Sequence, residues 1–301
     1  MKKYLTMDIG GTFIKYSIMD RNYKEELPGS VPTKKDPEEF ISQLYQIIDG
    51  VKAQICGIAI SMGGFINPMT CSNTDFSVGE NFKKYNLKER LSNYSHLPVS
   101  VENDSNCAAL AELHLGSGKD CRDFCMITLG TGIGGAIILN RELYRGRSDK
   151  AGEFGFSFIG REETKNGMVY HAASATSVLV RRVSEALSRK VDGFYIFQNL
   201  NQPEIREIYE EWLEDLAMLV GNTAVSLDPE KILIGGGIST QEEFLRNLKK
   251  RVYSIFCSLE EYTQIEACSL GNHAGKIGAL IEYFNRGMDR EDSMPSLEIV
   301  L

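Results

Sequence analysis

The stretch that decides the fold is LTMDIGGTFIKYSIMD, which runs from Leu5 to Asp20. It predicts an apolar strand, a tight turn at Gly10-Gly11-Thr12, and a second strand that ends near Asp20. Glycines in a turn between two β-rich runs are typical of a hairpin, and glycine also lets a ligand come close to backbone N–H groups. We therefore expect a hairpin whose turn can approach a ligand.

The side chains around this turn suit a metal-bound polyphosphate. Asp8 precedes the turn, the Thr12 hydroxyl lies in it, and Lys15 follows three residues later. The turn amides and Lys15 would hold phosphate oxygens, and Asp8 would face a magnesium ion directly or through water. The predicted cofactor-binding residues of this segment are Asp8, Gly10, Gly11, Thr12 and Lys15, with Asp8 as the metal residue.

The same pattern recurs once, as CMITLGTGIGGAIILN from Cys125 to Asn140. Two such hairpins predict two lobes built on the same plan, with a nucleotide between them. Gly130, Gly132 and Gly135 also match the G-x-G-x-x-G spacing of a dinucleotide-binding turn, which requires a helix after the glycines. The β-branched run AIILN follows instead, so we exclude a dinucleotide-binding enzyme.

Composition and charge exclude several other classes of protein. The 301 residues are 43% hydrophobic, enough for two domains with real cores. A net charge of −8 gives no basic patch that would indicate nucleic acid or an anionic membrane. No uncharged stretch approaches the roughly 20 residues that span a bilayer. The seven cysteines form no C-x-x-C pair, which indicates reduced thiols and a cytoplasmic protein.

Strand patterns alternate with helical patterns along the chain, which indicates an α/β protein. Asp36 begins the first helix as its N-cap, followed by Pro and two Glu residues. Further helices are predicted over 105–115 and 203–226. Ser239 and Glu242 are predicted to form a capping box for the next helix.

The glycine-rich segment at Gly116 is the predicted domain boundary. We expect a small N-terminal α/β lobe over 1–116, completed by the C-terminal segment from about 273 to 301. The large C-terminal α/β lobe would then cover 117–272.

Asp104 is the strongest candidate for a catalytic residue. It lies where an apolar strand meets a helix, the place at which open α/β sheets form ligand crevices. The alternative is that Asp104 is only the N-cap of that helix. Asn103 beside it and the Gly63-Gly64 turn favour function, because a hydroxyl that attacks a γ-phosphoryl group needs a carboxylate to accept its proton. The Asn103 amide can donate and accept together, which suits a vicinal diol.

Six segments together resemble a known family. They are DIGGTFIK, SMGGFIN, VENDSNCAALAE, LGTGIGG, ILIGGGIS and GNHAGKIGAL, in the order seen in the ROK family of bacterial sugar kinases and repressors. The resemblance runs from Met1 to about Phe284. It implies the actin-like ATPase superfamily, with two actin-like (ribonuclease H-like) lobes. Each lobe would be a mixed sheet flanked by helices, with the active site in the cleft between them.

The resemblance also implies an activity. The family's repressors carry an N-terminal helix-turn-helix, whereas this chain starts with the phosphate hairpin and so resembles the enzymes. The implied enzyme is an ATP- and magnesium-dependent hexose kinase that acts on the 6-hydroxyl of glucose or a related sugar, with Asp104 as general base. The alternatives are an N-acetylmannosamine or β-glucoside kinase, or a catalytically weak sugar and nucleotide sensor. A homodimer is a family expectation.

The site residues follow from the same resemblance. Residues of both hairpins would hold phosphates, and a third glycine segment would approach the nucleoside. In addition to the residues of the first hairpin, the predicted cofactor-binding residues are Thr131, Gly132, Gly134, Gly235 and Gly236. The predicted sugar-binding residues are Gly63, Gly64, Asn103, Asp104, Glu153 and Tyr170.

This chain departs from the family pattern in one region. The family's E-x-G-H motif here reads EFGF, so Phe156 stands where a His is usual. The cysteine-rich zinc segment should fall near 160–168, where the chain reads GREETKNGM without any Cys, so we expect no structural zinc. Tyr170 takes the place of a sugar-contacting Glu. Phe156 and Tyr170 could therefore reshape the sugar site.

Overall fold

The computed structural model describes residues 1–64, 66–67, 86–157 and 174–289. The chain divides into two compact units, of which the first comprises Met1–Leu110 and the segment from His273 onward, and the second Ala111–Asn272. The first unit ends six residues before the predicted boundary at 116. The reason is Glu112, whose buried carboxylate accepts hydrogen bonds from the backbone N–H groups of Ser117, Ser269 and Leu270 and so ties the end of its helix to the second unit.

The strands and helices alternate along the described chain. The strands are β1 Lys3–Ile9, β2 Phe13–Asp20, β3 Glu25–Pro32, β4 Ile58–Met62, β5 Val99–Asn103, β6 Phe124–Leu129, β7 Ile133–Leu139, β8 Glu142–Leu143, β9 Lys231–Gly235 and β10 Gln264–Ala267. The helices are α1 Pro37–Asp49, α2 Leu87–Ser95, α3 Asp104–Leu115, α4 Thr176–Ala186, α5 Gly193–Gln198, α6 Pro203–Leu227, α7 Glu242–Ile255 and α8 Ala274–Asn285.

Each unit contains one five-stranded mixed sheet, and the two sheets have the same strand order. The first sheet runs β3-β2-β1-β4-β5 and the second, taken from the matching edge, runs β8-β7-β6-β9-β10. In both sheets, neighbours among the first three strands of this order are antiparallel, and the last two strands are parallel to the third. The prediction of two α/β lobes built on one plan is confirmed.

Each sheet is covered by helices whose apolar faces form its core. Strand β4 is buried along its whole length, as a central parallel strand should be. Helix α1 buries the apolar face of Phe40, Ile41, Leu44, Ile47 and Ile48. In the second unit, Trp212 of α6 and Phe244 of α7 are among the largest fully buried side chains.

Of the two predicted helix caps, one is present in the structure and the other is not. Asp36 caps α1 as predicted, because its carboxylate accepts from the backbone N–H groups of Glu38 and Glu39 at 3.0 Å. The capping box at Ser239 is wrong. The Ser239 hydroxyl instead donates to the carbonyl of Gly236 at 2.8 Å, and α7 begins at Glu242 without a side-chain cap.

The glycine turn of the second hairpin leads into strand β7 and not into a helix, which confirms the exclusion of a dinucleotide-binding turn. Among the described residues, no helix combines the length and apolar character that a bilayer span needs.

Candidate active site

Asp104 is the first residue of α3 and follows β5 without a loop. Its Oδ1 accepts a hydrogen bond from the backbone N–H of Ser105 at 2.8 Å. The capping bond itself comes from Asn103, whose Oδ1 accepts from the backbone N–H of Asn106 at 3.0 Å. The alternative that Asp104 serves only as the N-cap is therefore wrong, and the Asp104 carboxyl is left accessible to solvent.

Asn103 links the start of α3 to the turn after β4. Its Nδ2 donates to the carbonyl of Gly64 at 3.0 Å, and Gly64 has φ +105, a conformation that favours glycine. The side chain thus holds the protein backbone on two sides. One amide N–H and one oxygen lone pair remain beyond these two bonds, so Asn103 keeps part of the capacity that a sugar diol would need.

Asp8 and Asp104 come together at the carboxyl ends of three parallel strands. Asp8 of β1 lies beside Ser61 of β4, which in turn lies beside Glu102 of β5. Burial and the negative charge of Asp8 raise the pKa of Asp104, even though the Asp104 carboxyl is reached by solvent. An added Cβ at Gly63 would lie 3.7 Å from Asp104 Oδ2, which places the predicted glycine turn beside the same carboxyl.

Asp8 is half-buried, and its burial raises the pKa of its carboxyl. Three neighbours oppose this rise in pKa: the Ser61 hydroxyl, which donates to Oδ1 at 2.8 Å, and the positive charges of Lys15 and Lys276. Lys15 lies directly opposite Asp8 in the β1–β2 pair. Among the described residues, no hydrogen bond is donated to Oδ2. That oxygen suits magnesium, which binds proteins through one or two carboxylates and keeps several waters.

The start of α8 approaches Asp8 more closely than the sequence pattern indicated. An added Cβ at Gly275 would lie 2.7 Å from Asp8 Oδ1 and 3.0 Å from Ser61 Oγ, so only glycine lets the helix come this near. The N-terminal end of a helix carries partial positive charge, which favours an ionised Asp8. The segment GNHAGKIGAL resembled the family without any role for these residues, and the roles of Gly275 and Lys276 appear only in the structure.

Three glycines of the two turns, two of which (Gly11 and Gly132) were predicted to hold phosphates, have no structural reason to be glycine. The predicted Gly10 differs, because a Cβ there would lie 3.2 Å from the Phe13 carbonyl oxygen. Gly11, Gly130 and Gly132 are exposed, and none of them has a left-handed φ. Chain neighbours aside, a Cβ added to any of the three would meet no atom of the described residues within 4 Å. Because the fold does not require these glycines, clearance for a ligand explains them best.

Other predicted glycines are explained by packing. Gly236 has φ +91, and a Cβ there would lie 2.0 Å from the carbonyl oxygen of Leu129. Gly235 would place a Cβ 3.2 Å from the side chain of Thr128. These contacts bring the end of β9 against β6, next to the second turn. Gly134 lies on β7 opposite Thr128 and is half-buried.

Glu153 is held on the second unit by two glycines. Gly152 has φ +88, and a Cβ added there would lie 2.9 Å from Ala136 Cα. A Cβ added to Gly155 would lie 2.4 Å from the carbonyl oxygen of Ile133. The loop therefore lies flat on β7, with Glu153 half-buried and the Phe156 side chain exposed. Tyr170 and the segment 160–168 lie outside the described residues.

The contrast between open and packed glycines can be tested with one pair of variants. Gly132→Ala should leave the melting temperature unchanged but weaken ATP binding by about tenfold or more, because the added methyl group would keep a phosphate from reaching the turn N–H groups, and losing one hydrogen bond to a charged phosphate costs about 1.5–3 kcal/mol. Gly236→Ala should lower the melting temperature, because its Cβ meets the Leu129 carbonyl. Thermal melts and ATP titrations of both variants check this. Equal loss of stability in the two would contradict the distinction.

Two units of identical topology, each with a glycine turn at the end of its first strand, define a two-lobed α/β protein. Comparison with known proteins shows its family. The chain belongs to the ROK family, whose model matches residues 4–283.

The relatives of this chain are sugar kinases. The β-glucoside kinase of Listeria monocytogenes is 34% identical over 289 residues, which cover 93% of this chain and 97% of that protein. The solved structure of the Lmo2764 protein from Listeria monocytogenes has a TM-score of 0.88 at 32% identity and covers 95% of this chain and 99% of its own. A ROK family protein from Streptococcus pneumoniae, solved with sucrose, has a TM-score of 0.83 at 31% identity, with 95% and 99% covered.

More distant relatives, each 27% identical, are named glucokinase and N-acetylmannosamine kinase. The predictions of the ROK family and of a sugar kinase are confirmed by these relatives, which do not decide among the sugars.

Proposed function

We propose that this protein transfers the γ-phosphoryl group of ATP to the 6-hydroxyl of a glucose-type sugar, with Asp104 as the general base. The observation that carries the proposal is the pair of carboxyls formed by Asp104 and Asp8 at the ends of β1, β4 and β5. One carboxyl can accept a proton from the sugar, and the other can face the metal of the nucleotide.

Asp104 has the properties that a base for this reaction needs. Its carboxyl is accessible, and its pKa is raised by burial and by the charge of Asp8. A raised pKa makes a carboxylate a stronger base near neutral pH. Asn103 and the Gly63-Gly64 turn beside it would hold the neighbouring sugar hydroxyls. The family resemblance also assigns Glu153 to sugar binding.

The nucleotide would be held by the two glycine turns. Gly11 and Thr12 of the first turn and Thr131 and Gly132 of the second are exposed, so their N–H groups can reach phosphate oxygens. The N–H of Gly10, which was also predicted to hold phosphate, donates to the Phe13 carbonyl at 3.0 Å instead. Asp8 would hold a magnesium ion, which neutralises phosphate charge when it is bound. A glucokinase from Streptomyces griseus, solved with glucose and AMPPNP, shares the fold at a TM-score of 0.79 and 24% identity.

The sugar is best sought among β-glucosides as well as glucose. Curated relatives at 34%, 35% and 30% identity are named β-glucoside kinase, whereas those named glucokinase are 27% identical. The relative solved with sucrose shows a disaccharide bound to a protein of this family. We therefore propose a glucose unit at Asp104, with a second sugar unit accepted beyond it.

A coupled assay of ADP release tests both parts of the proposal. The panel should contain glucose, cellobiose, N-acetylmannosamine and fructose, each with and without magnesium, and a sugar-free reaction as control. ADP release should depend on magnesium and be fastest with a gluco-configured sugar, and cellobiose should exceed glucose if β-glucosides are the substrates. If no sugar raises the rate above that of the sugar-free reaction, the result would favour a weakly catalytic sensor.

Three further expectations stay predictions. The region expected to lack structural zinc, 160–168, lies outside the described residues. The homodimer and the cytoplasmic location are implied by the family resemblance and by the reduced cysteines, respectively.

A further inference from the structure

The carbonyl groups of both glycine turns are held from one side by donors from elsewhere in the chain. In the second unit, the Ser177 hydroxyl donates to the Thr131 carbonyl at 2.6 Å, and the Ser177 backbone N–H donates to the Gly130 carbonyl at 3.1 Å. Ser177 lies in the first turn of α4, 46 residues after Thr131. Ser177 thus binds the turn through the carbonyls of Gly130 and Thr131.

The first unit has the same arrangement, made by different residues. The Thr33 hydroxyl donates to the Gly10 carbonyl at 2.7 Å, and the Thr33 backbone N–H donates to the Thr12 carbonyl at 2.9 Å. The Lys35 ammonium donates to the Gly11 carbonyl. Two residues just beyond β3 therefore provide three donors to three consecutive carbonyls of this turn.

Because these hydrogen bonds fix the turn carbonyls, the geometry of the peptide group also determines the direction in which the turn N–H groups point. In a planar trans peptide the C=O and the N–H point in opposite directions, and the described chain has no cis peptide bond. Holding the carbonyls of Gly130 and Thr131 therefore turns the N–H groups of Thr131 and Gly132 away from α4. In the first unit the N–H groups of Gly11 and Thr12 are turned outward in the same way.

The amides turned outward are exposed, and the described residues provide no acceptor for them. The residues concerned are Gly11, Thr12, Thr131 and Gly132, all at the surface. The backbone bonds within the two turns use other N–H groups, those of Gly10 and Gly130. Consecutive N–H groups that point to one side form a concave site for anions.

We propose that Ser177, Thr33 and Lys35 are positioning residues, which fix the phosphate-binding amides in the direction that a nucleotide requires. The inference rests on the proposed function, since it assumes that the turns hold ATP. Without the hydroxyl of Ser177, the peptide group between Thr131 and Gly132 is free to rotate. ATP binding must then supply the ordering that the hydrogen bond from Ser177 provides in advance.

Ser177→Ala is the sharpest test, because alanine is favourable in a helix and the site is exposed. Loss of one hydrogen bond should raise the Kd for ATP, measured by calorimetry without sugar, by about 3- to 10-fold. The KM for ATP should rise by the same factor, the KM for sugar should not change, and the melting temperature should stay within error. Ser177→Thr keeps the hydroxyl and should restore the affinity.

Ser254→Ala is the matched control. The Ser254 hydroxyl also donates from an exposed helical position to a carbonyl, that of Arg251 at 2.8 Å, which belongs to its own helix and to neither turn. This variant should bind ATP like the wild type. In the first unit, Thr33→Val should weaken ATP binding and Thr33→Ser should restore it; if Thr33→Val does not fold, the Ser177 variants decide.

The outcomes separate this inference from the proposed function. If the wild type binds ATP and the Ser177→Ala variant binds it with equal affinity, the inference is overturned and the kinase proposal is left intact. A wild type that binds no ATP would overturn both. Equal weakening of ATP and sugar binding would show a general structural effect and would also overturn the positioning role.

Discussion

Replacing Asp104 with asparagine should lower kcat by about 10²–10⁴-fold, the usual contribution of a positioned base, with little change in the KM for sugar. Asparagine is nearly isosteric and can hydrogen-bond the sugar hydroxyl, but its amide cannot take the proton. The helix start should survive because the capping bond to the Asn106 N–H comes from Asn103.

The same variant should be at least as stable as the wild type. The pKa of Asp104 is raised in the folded protein by burial and by the charge of Asp8, so the ionised carboxylate is less favourable there than in the unfolded chain. This destabilisation is present above the folded pKa and disappears as the pH falls below the unfolded pKa. Asparagine removes the charge, so the melting temperature at neutral pH should be equal or higher, a pattern expected of a functional residue.

Steady-state kinetics and melting curves check both parts of this expectation. Asp120→Asn, which changes an exposed aspartate of the second unit, is the control and should keep full activity. A variant at Asp104 that keeps more than about a tenth of the wild-type kcat would contradict the assignment as base, because that loss is smaller than a positioned base contributes.

Arg286→Met should lower the free energy of unfolding by about 3–5 kcal/mol, the cost of leaving a buried charge without its partner. Arg286 contacts two buried carboxylates, Glu102 at 3.1 Å and Glu282 at 2.7 Å, and the three side chains are 13%, 2% and 6% exposed. The loss should affect the active site as well. The other oxygen of Glu102 accepts from the backbone N–H of Asn103 at 2.8 Å, so the cluster supports the segment that carries Asp104.

A surface pair of almost the same geometry provides the control for Arg286. Arg206 contacts Glu210 at 2.8 Å across one helical turn, as Arg286 contacts Glu282, but its side chain is 50% exposed. Arg206→Met should cost less than about 0.5 kcal/mol. Thermal and urea unfolding of both variants provide the comparison. Equal losses in the two would show that the buried cluster is no stronger than a surface pair.

Much of the fold is local in origin and was therefore predictable. The two glycine-turn hairpins follow from short patterns of apolar and turn residues, and their recurrence predicted two lobes of one plan, which the identical strand orders confirm. The Asp36 cap is also a short-range signal, since donor and acceptor lie within three residues of each other.

At two helix starts, two local choices compete and the three-dimensional context decides; the predicted capping box at Ser239 was wrong for this reason. Asn103 and Asp104 can each cap α3, and only the register at the end of β5 shows that Asn103 does so. Ser239 resembles a capping residue, but its hydroxyl donates to the Gly236 carbonyl. Sequence spacing alone could not separate these possibilities.

The parts of the site that could not be predicted depend on contacts between distant segments. Nothing near Thr131 in the sequence indicates that Ser177 holds its carbonyl, and nothing near Asp8 indicates that Gly275 approaches it. The glycines of one motif likewise look alike in sequence. Gly132 is open on its outer side, whereas Gly135 is packed with Phe154, where an added Cβ would lie 2.3 Å from the ring.

Product analysis by phosphorus NMR is the most direct test of whether this protein phosphorylates the 6-hydroxyl of a sugar. The wild-type protein is incubated with ATP, magnesium and the best sugar of the panel, and the phosphate signal is correlated with the sugar protons. We expect a new phosphate ester on the 6-oxygen of a glucose unit, formed together with ADP and absent when sugar or magnesium is omitted. Release of inorganic phosphate at the same rate with and without sugar, and no sugar phosphate, would contradict it.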